Sequence, residues 1–272
     1  MDRTQADILD PGAGMSRLLH PLASRQRLLM AMASSMGGVQ TDSSRGDFVV
    51  AGLLGTAEQW DRFEIEWRRS AVEVEAAQSS MGGIEARRSR VLAGLIDTFG
   101  LTGIGSHVAG EEYERLSLEI QRSLTGGHPA EPYVLCFRHC ILEAACEAAK
   151  LPPQETVSVV LDGQDALASR APWLFEEIKG LEPAPVRERL GALGFEPKQH
   201  FAPLQAAEWL GHEVSSPARN GEARLDLCGP LPADDARRPR LLFKSFDRRA
   251  FRLLQRDWEE RHIEWNRSFS RL

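Results

Sequence analysis

Hydrophobic and polar positions along this chain alternate between short apolar runs and longer amphipathic stretches. Residues 1–35 carry little periodicity beyond a weak helix around Met15 to Met32. Gly37 to Asp42 reads as a poor strand, and a turn at Ser43-Ser44-Arg45-Gly46 leads into Asp47-Phe48-Val49-Val50-Ala51-Gly52-Leu53-Leu54. That second run is apolar on both alternations, which predicts a buried strand and an opening hairpin. Thr56 with Gln59 is a capping box, and it starts a helix carrying Trp60, Phe63, Ile65 and Trp67. A second helix is predicted over 84–99, a short glycine-interrupted strand over 101–108, and a helix over 111–124. Pro132 suits a first helical position, and the apolar helix behind it runs from Tyr133 to Lys150, where Pro152-Pro153 ends it. Thr156 to Leu161 is rich in β-branched residues and closes on Asp162-Gly163. A helix near 165–179, a strand or turn up to Phe195 and a helix over 203–214 follow, with Pro- and Gly-rich residues 215–240 as a linker.

Strands alternating with helices predict an α/β domain with a partly parallel sheet over 36–214, preceded by an extension over 1–35. Beyond the linker, Phe246, Ala250, Leu253, Leu254, Trp258 and Trp265 recur near helical spacing, so 241–272 is predicted to be a basic amphipathic helical tail.

Charge sharpens this division. The formal net charge is −6, yet residues 237–272 hold eleven Arg/Lys against five Asp/Glu. That local excess of +6 leaves the other 236 residues at −12. A basic segment on an acidic body suits a polyanionic partner, with Arg248, Arg249, Arg252 and Arg256 as candidate phosphate contacts. The plainer alternative is the solvated face of the same amphipathic helix. No apolar run approaches the roughly 18 residues of a membrane span. The opening Met1-Asp2-Arg3-Thr4-Gln5-Ala6-Asp7 carries acids where a secretory signal carries bases. A cytoplasmic protein without a membrane segment is expected. Cys136, Cys140 and Cys146 fall on one helix without a C-x-x-C pair, and with Cys228 they read as reduced thiols.

In sheets of this kind reactive groups gather beyond the carboxyl ends of strands, which directs attention to Asp42 and Asp162. Glu208 is an acid beside the apolar face of the 203–214 helix. If Asp42, Asp162 and Glu208 converge, they form a hard oxygen site for Mg²⁺ or Mn²⁺. His212, four residues after Glu208, is a weaker candidate ligand, and His139, Trp60 and Trp67 read as packing residues. Gly103-Ile104-Gly105 lacks the third glycine of a phosphate-binding loop, and no G-x-S-x-G occurs.

Several segments together resemble the domain-of-unknown-function 3800 family of bacterial and phage proteins. They are Phe48-Val49-Val50-Ala51-Gly52-Leu53 with Ala57-Glu58-Gln59-Trp60, then Glu131-Pro132-Tyr133-Val134-Leu135-Cys136-Phe137, then Val159-Val160-Leu161-Asp162. The most specific is Phe201-Ala202-Pro203-Leu204-Gln205-Ala206-Ala207-Glu208, similar to that family's L-Q-A-A-D helix. The resemblance covers about residues 39–214 and implies a ribonuclease H-like mixed sheet flanked by helices. It implies a metal-dependent nuclease, with Asp42, Asp162 and Glu208 holding Mg²⁺ or Mn²⁺. The chain departs from the family's acidic pairs at Thr41-Asp42 and Asp162-Gly163, and carries Glu208 where the family carries Asp. The alternative expectation is an inactive member that serves as a binding subunit, its tail helix docking a protein partner. Members generally begin just before the first strand. That implies a start at Met30, Met32 or Met36, with residues 1–29 either a dispensable extension or not translated.

Overall fold

The computed structural model describes residues 28–37, 47–76, 84–125, 131–153, 155–163, 168–220 and 240–256. Six strands form one mixed sheet in the order β5-β4-β1-β2-β3-β6. They are β1 (Leu28–Gly37), β2 (Asp47–Thr56), β3 (Thr102–Val108), β4 (Val157–Asp162), β5 (Leu190–Glu196) and β6 (Arg240–Phe246). β1 pairs antiparallel with β2 and parallel with β4. β2 pairs antiparallel with β3, while β5 and β6 extend the edges in parallel. Only β2 runs against the other five, so five carboxyl ends and the start of β2 share one edge.

The sheet is buried on both sides, as an α/β layer must be. On one side lies α5 (Pro132–Ala149), after α1 (Ala57–Ala76), α2 (Ile84–Phe99), α3 (Gly110–Glu114) and α4 (Leu118–Leu124) in chain order. Pro132 sits in the first helical turn, and Ala144, Ala145 and Ala148 present small side chains to the core. They pack with Met30, Met32, Val50, Ile104, Val159 and Leu161. α6 (Ala171–Leu181) and α7 (Ala184–Arg187) follow β4.

On the other side α8 (Ala202–Asn220) lies across β1 and β2, burying Leu204, Ala207, Leu210 and Val214. Here Ala31, Val49, Ala51, Leu53 and Val160 meet Trp60, Phe63 and Trp67 of α1. Each such aromatic contributes roughly 2–3 kcal/mol by leaving water. The capping box forms as the sequence predicts: Thr56 N–H donates to Gln59 Oε1 at 2.7 Å and Gln59 N–H to Thr56 Oγ1 at 3.3 Å. Gln59 Nε2 also donates to the carbonyls of Phe99 and Gly100, tying the start of α1 to the end of α2. Gly100 holds φ +62°, the left-handed turn that ends α2.

Three expectations need correction. The weak helix to Met32 is instead the strand β1 at the centre of the sheet. Leu, Met and Ala favour helices, but pairing on both sides and burial of Met30, Ala31 and Met32 override that preference. A start at Met30, Met32 or Met36 would remove part of this central strand, and residues 28–35 are not an extension. The tail does not begin as a helix either. Arg240–Phe246 is β6, and a helix α9 starts at residue 248. Leu241 and Phe243 lie over Gly103 and Gly105 of β3, where a Cβ would collide with or crowd them. The sheet thus takes strands from both sides of the 36–214 segment. Finally, the single helix expected over 111–124 is two, broken at Ser117, whose Oγ accepts from Ile120 N–H.

Candidate functional site

Because β2 alone is reversed, its first residue Asp47 stands at the same edge as the last residues of β3, β4, β5 and β6. Asp162 ends β4, half-buried as its strand-end position predicts, and its register partner on β5 is Glu196. Partners on parallel strands share a face, so these two carboxylates stand on the α8 side with Val160 and Gly194. Glu196 was not a sequence candidate, because residues up to Phe195 read as strand or turn without a register.

The expected metal set does not assemble among the described residues. Asp42 lies outside them. Glu208 turns aside from the sheet-facing stripe of α8, and its Oε1 accepts from Lys198 Nζ at 2.8 Å. No group of three His, Cys, Asp or Glu side chains that could hold a metal ion occurs among the described residues. His212 is exposed. Glu208 is thus already paired to a cation, and Asp42 lies outside the described residues.

The arginines are placed more clearly. Asp247 caps α9 (248–256), its Oδ1 accepting from Ala250 N–H at 2.8 Å. Phe251 and Leu254 pack against the core beside Phe246, and Tyr113 meets Phe251 edge-on. That leaves Arg248, Arg249, Arg252 and Arg256 exposed on the opposite face, around Leu253 at 50% exposure. With Asp247 they line an open cavity of about 580 Å³. Leu253 was counted in the apolar stripe of the sequence, and Phe251 takes that place instead. Trp258 and Trp265 lie outside the described residues.

A further constellation escaped the sequence. His107 and Ser245 are register partners on β3 and β6, and His107 Nδ1 lies 3.1 Å from Ser245 Oγ. The other ring nitrogen, Nε2, faces Asp47 Oδ2 at 3.3 Å, close enough for an ion pair but bent away from a well-formed hydrogen bond. The His107 ring is buried and Asp47 a third exposed. The available signal was a polar residue at each strand end, but only the register brings the three together.

Across the sheet, polar groups serve packing. Cys136 and Cys140 are buried, their thiols donating to the carbonyls of Phe48 and Val50. Burial pushes the Cys136 thiol up to about 12 and Cys140 well above its ordinary value. Such thiols stay protonated and inert. Burial also holds the Tyr113 hydroxyl above its usual range, with Glu131 nearby adding to the effect. His139 stacks edge-on against Phe246, and burial lowers its affinity for a proton. It is a packing residue, as expected.

Comparison with known families, with curated proteins and with solved structures finds no match to this chain.

Proposed function

We propose that this protein binds nucleic acid through the arginine face of α9. The observation that carries the reading is four exposed arginines on one side of a helix whose other side is fixed to the core. Arginine forks match phosphate oxygens, and Leu253 among them supplies an apolar surface for a sugar or base. The apolar face over 248–256 is consumed by the protein's own core, so docking of a protein partner by that face is the weaker proposal. Within the described residues no helix is long and apolar enough to cross a membrane. A ribonuclease H-like architecture belongs to the same proposal. Its support is β1 flanked by a reversed β2 and a parallel β4, with helices on both faces.

The test is fluorescence anisotropy with short labelled DNA and RNA in EDTA, across about 50–300 mM KCl. Four phosphate contacts give log K against log salt a slope of about −3. A slope near zero, or no binding, would remove the reading.

A second reading is metal-dependent phosphodiester hydrolysis, favoured by the Asp162–Glu196 juxtaposition at the carboxyl edge. It requires Asp42 to join them and the Lys198–Glu208 pair to open. Calorimetry with Mn²⁺ decides it, because a bound ion would hold a phosphate against the two carboxylates.

A further inference from the structure

We infer that Ser245, His107 and Asp47 form a nucleophile relay that cleaves phosphodiesters without a metal ion, beside the arginine face. The inference rests on the nucleic-acid reading for its substrate class and on separate residues for its chemistry.

Three adjacent strands build the relay. His107 is register partner to Val49 on one side and Ser245 on the other. Asp47 lies two positions from Val49 on the same face, which is diagonal contact range across a strand pair. Both nitrogens of a buried ring therefore meet polar partners, at 3.1 and 3.3 Å. The Asp47 carboxylate, 3.3 Å from Nε2, favours the proton on that nitrogen by its charge without a well-formed hydrogen bond. That tautomer leaves Nδ1 as an acceptor for the Ser245 hydroxyl, the arrangement a nucleophile–base pair requires. Asp47 of β2 is the charged group against the His107 ring, and Ser245 of β6 is its neutral partner.

Ser245 is half-buried and sits three residues before α9, so Arg248 and Arg249 open the helix within about 10 Å of chain from it. The arginines thus lie at the same sheet edge as the serine, where a phosphate's negative charge is favoured.

His107 Nδ1 takes the Ser245 proton as Oγ bonds to phosphorus, and the bond from phosphorus to the leaving oxygen breaks. The same proton passes from Nδ1 to that leaving oxygen. Water then attacks the phosphorus of this serine phosphodiester, which still carries the remaining ester group, gives its proton to Nδ1, and Oγ departs and recovers it. The net reaction is phosphodiester plus water to phosphomonoester plus alcohol, with no oxidant and no metal. Ser245 and His107 are catalytic residues, and Asp47 is a positioning residue.

The test uses the full chain in EDTA, with bis(p-nitrophenyl) phosphate and a short fluorescein-labelled single-stranded oligonucleotide as probes. Wild type is expected to cleave both, and acid-quenched protein to carry the oligonucleotidyl or p-nitrophenyl phosphoryl group on the peptide holding Ser245. Ser245→Ala is expected to lose turnover by about 10³-fold and His107→Gln by about 10²-fold. Oligonucleotide affinity should stay within about two-fold in both, since neither is a phosphate contact of α9. Asp47→Asn should lower kcat about ten-fold with KM unchanged, and Asp47→Glu should recover part of that loss. A group that merely bridges strands would not show that split. No cleavage in EDTA, or cleavage unchanged in Ser245→Ala, overturns the relay, while intact salt-dependent binding leaves the nucleic-acid reading standing. Loss of that binding with Ser245-dependent cleavage of the small diester kept would instead remove the arginine reading alone.

Discussion

Over β4 and β5 the carboxyl edge of the sheet presents Asp162 and Glu196, with Glu208 held by Lys198 nearby on α8. Over β2, β3 and β6 the same edge presents Asp47, His107 and Ser245, and then runs into four exposed arginines. The two halves share one sheet and one strand polarity but oppose one another electrostatically. A phosphate approaching the first half meets two carboxylates and needs a cation between. A phosphate approaching the second meets cations already fixed by the fold. The strand-end rule alone does not separate these cases, because it says where groups gather and not what sign they carry.

The largest effect that would break this contrast is on binding. Replacing Arg248, Arg249, Arg252 and Arg256 together by Ala should make the salt slope shallower by about 3. Extrapolated to a common affinity near 1 M, that is roughly 10³-fold weaker binding at 0.1 M salt. Anisotropy titrations on the variant and wild type measure it. An unchanged slope would place any phosphate contact elsewhere.

The acidic half is sharpened by Asp162→Asn. If that half holds Mn²⁺, calorimetry should find binding weakened on the order of 100-fold or more, since even indirect supports of a metal cost 10–100-fold. Oligonucleotide affinity in EDTA should not change. A fall in both would mean the halves act as one site.

Much of this frame was legible from local signals. β2, the Thr56–Gln59 capping box, α5 behind Pro132 and β4 ending in Asp162 each follow from residues close in sequence. β1 was not, because a strand paired and buried on both sides loses the period-two pattern, and its Leu, Met and Ala residues favour helices. β6 was hidden by Phe246, which serves the core from a strand end while fitting a helical stripe. Of the site, Asp162 and the arginines could be found by strand-end and charge arguments. His107 and Ser245 could not, since 138 residues separate them and only the β3–β6 register joins them.

The floor beneath both halves carries a smaller, pH-dependent prediction. Burial raises the Cys136 and Cys140 thiols above their ordinary values near 9. Folding therefore binds their protons more tightly. That stability is complete below pH 9 and is lost as pH rises toward 12. For two thiols the slope approaches about 2.7 kcal/mol per pH unit once both would ionise in the unfolded chain. Urea unfolding of Cys140→Ala at pH 7 and 10.5 should show roughly half the alkaline loss of wild type. An equal loss would assign the alkaline sensitivity to other groups, such as the buried Tyr113.

The smallest expected effect isolates Glu208. Lys198 and Glu208 are each about a third exposed, so Lys198→Ala should change stability by less than about 1 kcal/mol. Its use is in the metal titration. A freed Glu208 that belongs to the acidic half should raise Mn²⁺ affinity a few-fold, because one ligand no longer has to leave a cation before binding another. The double variant Lys198→Ala with Asp162→Asn should then lose that gain, since the ion needs both carboxylates. Unaltered affinity in Lys198→Ala, with binding still lost in Asp162→Asn, would remove Glu208 from the site and leave Asp162 and Glu196 as its core.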